Sequence, residues 1–389
     1  MAEPVNAPGL GPGPFGGGGS SPLVRTLVPH LLAAPDKFRG TATAAQVAAA
    51  AAAAGRRAGF DVHGLALADG GEGTLAALHA ALGGTVRHNV VAGPLGQRVE
   101  AAWLLVDDAD PGFDAPLVAG EGPLAVIESA SAAGRALLPH PMGDDPVRAS
   151  TAGVGELLLA AHDAGARQVV VAVGGTATTD GGAGAWKVVG EPARLAGMRV
   201  VVACDVTAAF CDAAVVFGPQ KGASAAQVAA LGARLEALRR TYAAESGVDV
   251  ATLVGAGAGG GLAGGLAALG AVLVPGFALV SSLVGLQRHA DAADLVITGE
   301  GTVDRTSFEG KVVGGVLGAT AGRPALCVAG VVAPGIEPWL APVVAARAAP
   351  VELVSLVETV GRPRALHDTV RAIHEVVTAA LSEQAPARE

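Results

Sequence analysis

The chain has 389 residues, of which 51% are hydrophobic and only 3% are aromatic. This length exceeds what one hydrophobic core usually serves, so we expect two domains with cores built from Ala, Val and Leu. The formal net charge is −9, and the sequence contains no run of basic residues. A protein that binds nucleic acid needs a positive stripe to displace counterions from the phosphates, so this class is excluded.

Two stretches differ from the rest of the chain. Residues 1–27 are rich in Gly and Pro and have too few large apolar side chains to offset the entropy of ordering, so they are predicted to form a disordered tail and not a secretory signal. Residues 251–287 carry no charge, but they are Gly- and Ala-rich and interrupted by Pro275, which favours a buried loop and helix over a membrane span. The three cysteines have no metal-like spacing, and the chain is expected in the reducing cytoplasm.

From His30 onward, short apolar runs alternate with helical stretches, which is the pattern of an α/β protein. Several runs are apolar without alternation, as expected for parallel strands that are covered on both faces. In chain order, the pattern predicts strands at 30–34, 62–67, 124–128, 168–173, 199–204, 294–298, 324–329 and 351–356. It predicts helices at 44–58, 74–82, 152–165, 225–241 and 365–382, the first and fourth of which begin with capping boxes.

Three of the predicted strands run into Gly-rich turns that carry carboxylates, at 68–74 (ADGGEGT), 174–182 (GGTATTDGG) and 299–304 (GEGTVD). In an open α/β sheet, ligands lie beyond the carboxyl ends of the strands. Glycines there let backbone N–H groups approach an anion, and acids can hold Mg²⁺ or accept a proton. A single turn of this kind is more often a simple turn with a capping Asp. Three together indicate a binding site.

Lysine is rare in this chain, since only four of the 26 basic residues are Lys. Lys37, Lys221 and Lys311 lie in short polar or Gly-flanked segments, whereas Lys187 lies in a helical stretch and is interpreted as a solvated side chain. A compact ammonium is suited to meeting a phosphate as a point charge. With so few lysines, chance placement is the alternative explanation.

The common nucleotide-binding motifs do not explain this sequence. No G-x-x-x-x-G-K-[ST] loop is present, which excludes a P-loop kinase. Residues 255–260 match G-x-G-x-x-G, but the match lies in a Gly-rich stretch, and the next acid is Asp291, too far on for a dinucleotide site. No Ser nucleophile elbow, His-Glu-x-x-His motif or Cys/His metal cluster occurs either.

Taken in order, the motifs of residues 30–380 resemble those of the bacterial glycerate kinase family. The motifs that carry the resemblance are 34–40 (APDKFRG), 68–74 (ADGGEGT), 93–96 (GPLG), 126–128 (VIE), 153–157 (GVGEL), 173–184 (VGGTATTDGGAG), 203–206 (ACDV), 216–223 (VFGPQKGA), the glycine run 255–265 and 297–311 (ITGEGTVDRTSFEGK). The resemblance implies two α/β domains with mostly parallel sheets, the second inserted into a discontinuous first. We place the discontinuous domain at 28–90 and 287–385 and the inserted domain at 91–286.

The resemblance also implies an activity: an ATP-dependent kinase with Mg²⁺ that phosphorylates D-glycerate, with 2-phosphoglycerate the favoured product. Its partners would be ATP and a small hydroxy acid, with no nucleic acid or membrane, and the sequence does not indicate an oligomeric state.

The resemblance further suggests roles for individual residues in the cleft between the domains. The phosphates and the glycerate carboxylate would be bound by Lys37, Arg39, Lys221 and Lys311, with Gly70, Gly71, Gly174, Gly175, Thr176 and Gln220 around them. The candidate base for the glycerate hydroxyl is Asp180 or Asp205. The candidate Mg²⁺ ligands are Asp69, Glu72, Glu300 and Asp304.

Two alternative functions remain open at this point. The loop 207–214 is shorter than in many members of the family, which is compatible with a kinase for another small hydroxy acid, such as L-glycerate or tartronate. Gly-rich turns can also cradle anions without any reaction, as in a non-catalytic nucleotide-binding protein. The many acids argue against the second alternative, because carboxylates beside a polyphosphate are unfavourable unless a metal neutralises them.

Overall fold

The computed structural model describes residues 28–107, 122–138 and 145–384. The tail predicted at 1–27 lies outside these residues. Within them, the strands are β1 (His30–Ala33), β2 (Asp61–Gly64), β3 (Thr85–Ala92), β4 (Arg98–Val106), β5 (Leu124–Glu128), β6 (Gln168–Ala172), β7 (Arg199–Cys204), β8 (Val272–Pro275), β9 (Leu295–Val303), β10 (Ala325–Val332) and β11 (Val351–Ser355).

The helices cover the faces and ends of the sheets. They are α1 (Ala44–Arg57), α2 (Thr74–Leu82), α3 (Ala130–Ala133), α4 (Ala152–Asp163), α5 (Ala183–Val189), α6 (Ala213–Phe217), α7 (Ala225–Ser246), α8 (Leu262–Ala268), α9 (Gly276–Leu283), α10 (Leu286–Ala292), α11 (Val312–Ala319), α12 (Glu337–Ala345), α13 (Leu356–Val360), α14 (Arg362–His367) and α15 (Thr369–Gln384). Both predicted capping boxes are present, at the starts of α1 and α7. Of the helices in the described part of the chain, none combines the length and apolar character needed to cross a membrane.

The first sheet has the order β11-β10-β9-β1-β2, and all of its neighbouring strands are parallel. The chain leaves β1 toward β2 on one side and later returns to the other side of β1 with β9. The strand order therefore reverses between β1 and β9. In open α/β sheets, the crevice beyond the carboxyl ends of two such strands is the favoured position for a ligand.

The second sheet has the order β3-β4-β5-β6-β7-β8. Its strands β5 to β8 are parallel, whereas β4 is antiparallel to both of its neighbours. The prediction of an α/β fold with mostly parallel sheets is therefore confirmed.

The two sheets share one hydrophobic core. Leu32 and Val296 of the first sheet belong to the same cluster of buried side chains as Val126 and Val170 of the second. On β6, Val169 and Val171 point to the opposite face, into a second cluster with α4 and α8. Burial on both faces explains why the strand reads as a continuous apolar run.

The strands of the first sheet come from two separate parts of the chain, on either side of the strands of the second. The assignment of two domains, with joins near residues 91 and 286, stays a prediction. Because β3 pairs with β4 from Thr85 to Ala92, we propose that the first join lies before Thr85, so that β3 is not divided.

Candidate active site

Three adjoining cavities open at the carboxyl ends of the strands. The switch-point cavity, of about 370 Å³, lies beyond β1 and β9 and is lined by Asp36, Glu300, Asp304 and Lys311, among others. The β6–β7 cavity, of about 310 Å³, is lined on the second sheet's side by Gly174, Gly175, Thr176, Asp205, Gln220 and Lys221. The α1–α2 cavity, of about 380 Å³, lies over the first turns of these two helices.

Lys37 and Arg39 line all three cavities. The cavities therefore meet at these two cations, in the turn that follows β1. Asp69 lines both the switch-point cavity and the β6–β7 cavity. In the β6–β7 cavity it shares the wall with Asp205, so acids that follow strands of the two sheets meet there. Any ligand that passes from one cavity to another crosses this junction.

The structure brings most of the predicted site residues to this cleft. Every predicted residue except Asp180 and Gly70 lines at least one of the three cavities, namely Lys37, Arg39, Asp69, Gly71, Glu72, Gly174, Gly175, Thr176, Asp205, Gln220, Lys221, Glu300, Asp304 and Lys311. Their individual contacts with ligands stay predictions.

Three carboxyl groups in the cleft are shifted toward the protonated form. Burial raises the pKa of Asp36 to about 6 and that of Glu300 to about 7. Burial also raises the pKa of Asp205, and the nearby charge of Asp69 adds to this effect, while Lys311 opposes it. Buried acids whose charges are not fully compensated are common at functional sites.

These shifts predict how stability depends on pH. An acid whose pKa is higher in the folded than in the unfolded state stabilises the fold at low pH, and this stabilisation is lost as pH rises through the folded pKa. For Glu300 this interval lies between its ordinary value of 4.5 and about 7. Since Gln mimics the protonated acid, we expect Glu300→Gln to raise the melting temperature by about 2–5 °C at pH 8.

The same substitution should have almost no effect on melting at pH 4.5, where Glu300 is protonated in the wild-type fold. Calorimetry of both proteins at the two pH values, with a chelator present, measures the difference. A lower melting temperature for Glu300→Gln at pH 8 would show that the ionised carboxylate stabilises the fold.

In the β6–β7 cavity, the ammonium of Lys221 is held in a defined position. Its Nζ donates to Thr176 Oγ1 at 3.1 Å and to the carbonyl oxygen of Thr178 at 2.5 Å. Burial lowers the pKa of Lys221 to about 8, although the negative charge of Asp180 acts in the opposite direction. A fixed cation beside the Gly174–Gly175 turn is suited to binding an anion.

Glycines allow the two sheets to approach each other at the cleft. A Cβ atom added to Gly174 would lie 2.7 Å from the Cα of Gly71, so backbone from the first sheet's turn touches backbone from the second sheet's turn. Gly70, with φ of 89°, packs between Ala203 and Gly276, and an added Cβ would lie 2.8 Å from an atom of each. Gly70 therefore permits this packing and does not line any of the three cavities, and its role in phosphate binding stays a prediction.

Asp180, one of the two candidate bases, lies outside the three cavities. It is only 1% exposed and does not line any of the three cavities. Its Oδ2 accepts hydrogen bonds from Thr151 N and Thr151 Oγ1, both at 2.9 Å, and from Gly184 N at 3.0 Å, while Oδ1 accepts from Gly182 N at 3.1 Å. The carboxylate thus joins the starts of α4 and α5, and the catalytic roles of Asp180 and Asp205 stay predictions.

We expect Asp180→Asn to lower the free energy of unfolding by about 1–3 kcal/mol. An amide has one oxygen, so its NH₂ group would face a backbone N–H that now donates to the carboxylate. Chemical denaturation and steady-state turnover of the purified variant measure the two effects. Asp163→Asn is the control, because Asp163 is an exposed residue at the end of α4. An unchanged free energy of unfolding together with a hundredfold loss of kcat would support Asp180 as the base.

Sequence reasoning gave no role to two acids near the cleft. Asp36 belongs to the motif 34–40, and its Oδ1 lies 3.7 Å from Lys37 Nζ. Glu128 belongs to the motif 126–128, and it accepts hydrogen bonds from the backbone at the start of α2. Each acid lies at or just after the carboxyl end of an apolar strand, as the three Gly-rich turns do. This position in the sequence could have identified both acids as candidates.

The chain matches known proteins over most of its length. The glycerate kinase family matches residues 31–192 and 186–379. A glycerate 2-kinase of Escherichia coli K12 is 36% identical over 321 residues, which cover 74% of this chain and 80% of that protein. A glycerate kinase of Halalkalibacterium halodurans is 36% identical over 343 residues, which cover 79% of this chain and 87% of that protein.

A solved structure agrees with these sequence matches. The crystal structure assigned as glycerate kinase 2 from Salmonella typhimurium LT2 superposes with a TM-score of 0.71 at 31% sequence identity, and the match covers 93% of this chain and all of that one. Sequence and structure thus agree over both sheets and the cleft between them. The chain belongs to the glycerate kinase family.

Proposed function

We propose that this protein transfers the γ-phosphoryl group of ATP to a hydroxyl of D-glycerate in the cytoplasm, with 2-phosphoglycerate as the product. Membership of the glycerate kinase family supports the reaction class. The name of the Escherichia coli relative, glycerate 2-kinase, supports phosphorylation of the 2-hydroxyl.

One observation carries the proposal: the three cavities meet at Lys37 and Arg39, with the carboxylate of Asp69 beside them. Phosphoryl transfer depends mainly on positioning the two substrates and on neutralising the charge of the transferred group. A junction of two cations between separate compartments for two substrates supplies both requirements. A protein that only bound an anion would not need a second compartment.

The residues divide into groups that suit the two substrates. Lys311 and the turn after β9 would hold the nucleotide phosphates in the switch-point cavity. Lys221 and the Gly174–Gly175 turn would hold the glycerate carboxylate in the β6–β7 cavity. Asp205 lines the same cavity and would accept the proton of the glycerate hydroxyl, a role that its raised pKa suits, because a base works best when its pKa lies near the working pH.

The acids of the switch-point cavity fit a Mg²⁺ ion. Glu300 Oε1 is buried with no hydrogen-bond partner, so it has a lone pair for a cation. Within the described ranges, no three His, Cys, Asp or Glu side chains form a metal cluster. Mg²⁺ needs none, since it is usually bound by one or two carboxylates, waters and substrate phosphates. Glu300 and Asp69, which both line this cavity, would hold the ion, which would neutralise phosphate charge when bound, whereas Glu72 lines only the other two cavities.

Asp304 is less suited to bind the metal directly. Its Oδ1 accepts hydrogen bonds from the backbone N and the Oγ1 of Thr306, both at 2.7 Å. Burial acts to raise the pKa of Asp304, but these bonds outweigh it and hold the pKa below its usual value. We propose that Asp304 shapes the turn after β9 and keeps it negatively charged.

An assay coupled to ADP release tests the proposal. We expect turnover that requires ATP, Mg²⁺ and D-glycerate, with a higher kcat/KM for D-glycerate than for L-glycerate or tartronate. A clear preference for another hydroxy acid would transfer the proposal to that substrate. ATP binding that is indifferent to Mg²⁺, with no turnover of any of these acids, would exclude a kinase.

A further inference from the structure

The α1–α2 cavity has a different chemical character from the two cavities beside it. Its ionisable residues are Asp36, Lys37, Arg39 and Glu72, and each of them also lines a neighbouring cavity. The rest of the wall is formed mainly by small or apolar side chains from the turn after β1, the segment after β2 and the starts of α1 and α2: Phe38, Ala42, Ala44, Ala45, Ala66, Leu67, Ala76 and Ala77.

This cavity is continuous with the phosphate-binding end of the site, because Lys37 and Arg39 line it as well as the other two cavities. ATP has one large, uncharged, planar part, and it is joined to a chain of phosphates. An apolar compartment of about 380 Å³ that opens onto two cations matches this division of chemical character. Glycerate, which is small, charged and rich in hydroxyl groups, does not match it.

We propose that the α1–α2 cavity binds the purine base of the nucleotide, while the phosphates extend past Lys37 and Arg39. This inference rests on the proposed use of ATP. The base lies against the first turn of α2, where Ala76 is exposed and lines the cavity. A large side chain at position 76 would fill the compartment without disturbing the buried core.

The test is Ala76→Phe, with binding measured by calorimetry for ATP and for inorganic tripolyphosphate, each with Mg²⁺. We expect the affinity for ATP to fall at least about tenfold while that for tripolyphosphate changes less than about twofold. Ala80→Phe is the matched control, since Ala80 is exposed one turn further along α2 and does not line the cavity. This control should leave both affinities unchanged.

In the kinetic assay, Ala76→Phe should raise KM for ATP and leave KM for D-glycerate and kcat near the wild-type values. Equal loss of affinity for ATP and tripolyphosphate, or no loss of affinity for ATP, would overturn the base compartment. Because binding is measured directly, it tests the compartment even if D-glycerate proves not to be the substrate.

A second inference concerns Glu128, which connects the two sheets. Glu128 ends β5 of the second sheet, but its Oε1 accepts hydrogen bonds from Gly73 N at 2.9 Å and Leu75 N at 2.8 Å, at the start of α2. Gly73 is the N-cap of α2, and as a glycine it has no side chain to cap the helix. Glu128 therefore supplies the cap from the end of β5, 55 residues away from Gly73 in sequence.

These bonds hold the turn that carries two candidate metal ligands. Asp69 and Glu72 lie between β2 and α2, directly before Gly73, and both line the β6–β7 cavity. The charges that act on Glu128 come from this same region, namely Glu72 and Lys37. We infer that Glu128 is a positioning residue, which sets the distance between the acids of the 69–73 turn and the second sheet's side of the cleft.

The variants Glu128→Ala, Glu128→Gln and Glu128→Asp separate positioning from general stability. Gln retains the oxygen that accepts both bonds and should keep kcat within about threefold of wild type, whereas Ala should lower kcat at least about tenfold. Asp retains the charge on a shorter side chain, so Glu128→Asp should lower kcat about as much as Glu128→Ala does. It therefore tests the same prediction if the Ala variant does not fold.

Glu156→Ala is the control for lost stability, because Glu156 accepts a bond from Ala92 N and pairs with Arg98 away from the cleft. It should lower the melting temperature with kcat unchanged. Wild-type kcat in the Ala and Asp variants of Glu128, or a Gln variant as impaired as they are, would overturn the positioning role.

Discussion

Asp205→Asn is expected to lower kcat at least about a hundredfold, because it removes the proposed base for the glycerate hydroxyl. Asp205 follows β7 directly and lines the β6–β7 cavity beside Lys221. Burial and the nearby charge of Asp69 raise the pKa of Asp205, so the substitution also changes a pair of acids that share the cleft. Since Asn has nearly the same shape as Asp, we expect KM for ATP and the melting temperature to change little.

The control for this experiment is Asp212→Asn, at an exposed acid that does not line any of the three cavities. Steady-state kinetics of both variants with D-glycerate and ATP, at several pH values, give the comparison. If Asp205→Asn keeps more than about a tenth of the wild-type kcat, Asp205 is not the base.

Lys37→Met is expected to lower kcat/KM for ATP by about two to three powers of ten, the effect typical of losing one group that stabilises charge in a transition state. Lys37 lies at the junction of the three cavities, and its charge also offsets the buried carboxyls of Asp36 and Glu128. Met has a similar length and removes only the ammonium. The loss should therefore appear in both kcat and the affinity for ATP.

Lys187→Met provides the matched comparison, because Lys187 is an exposed lysine on α5 outside the three cavities. It should retain wild-type kinetics and stability. ATP titrations by calorimetry and steady-state kinetics measure both effects. Wild-type kcat/KM in Lys37→Met would show that this lysine does not take part in catalysis. It would also contradict the proposed role of the junction of the three cavities.

The buried parallel strands that end at the cleft were predictable, whereas β3, β4 and β8 of the second sheet were not. Buried runs such as Gln168–Ala172 are apolar on both faces, so a sequence pattern identifies them directly. By contrast, β3 at one edge of the second sheet carries Arg87 and His88 and leaves Val90 61% exposed, so its strand character comes from pairing with β4. Such pairing is a tertiary property that local composition does not contain.

The candidate site shows the same limit for individual residues. Asp180 and Asp205 both follow apolar strands, and the sequence gives no reason to separate them. The two acids differ in their surroundings in the fold. Asp180 accepts hydrogen bonds from backbone N–H groups at the starts of α4 and α5, whereas Asp205 lines a cavity. The role of Glu128 was equally hard to predict, since the helix that it caps starts more than 50 residues earlier in the chain.

The most direct test of this account is phosphorus NMR of the complete reaction, with the enzyme, D-glycerate, ATP and Mg²⁺. We expect one new phosphomonoester signal, that of 2-phosphoglycerate, which grows in equal amount with ADP and depends on Lys37 and Asp205. A signal from 3-phosphoglycerate would contradict the assignment of the hydroxyl. Release of inorganic phosphate alone, or no change in the ATP signals, would contradict phosphoryl transfer to glycerate in this cleft.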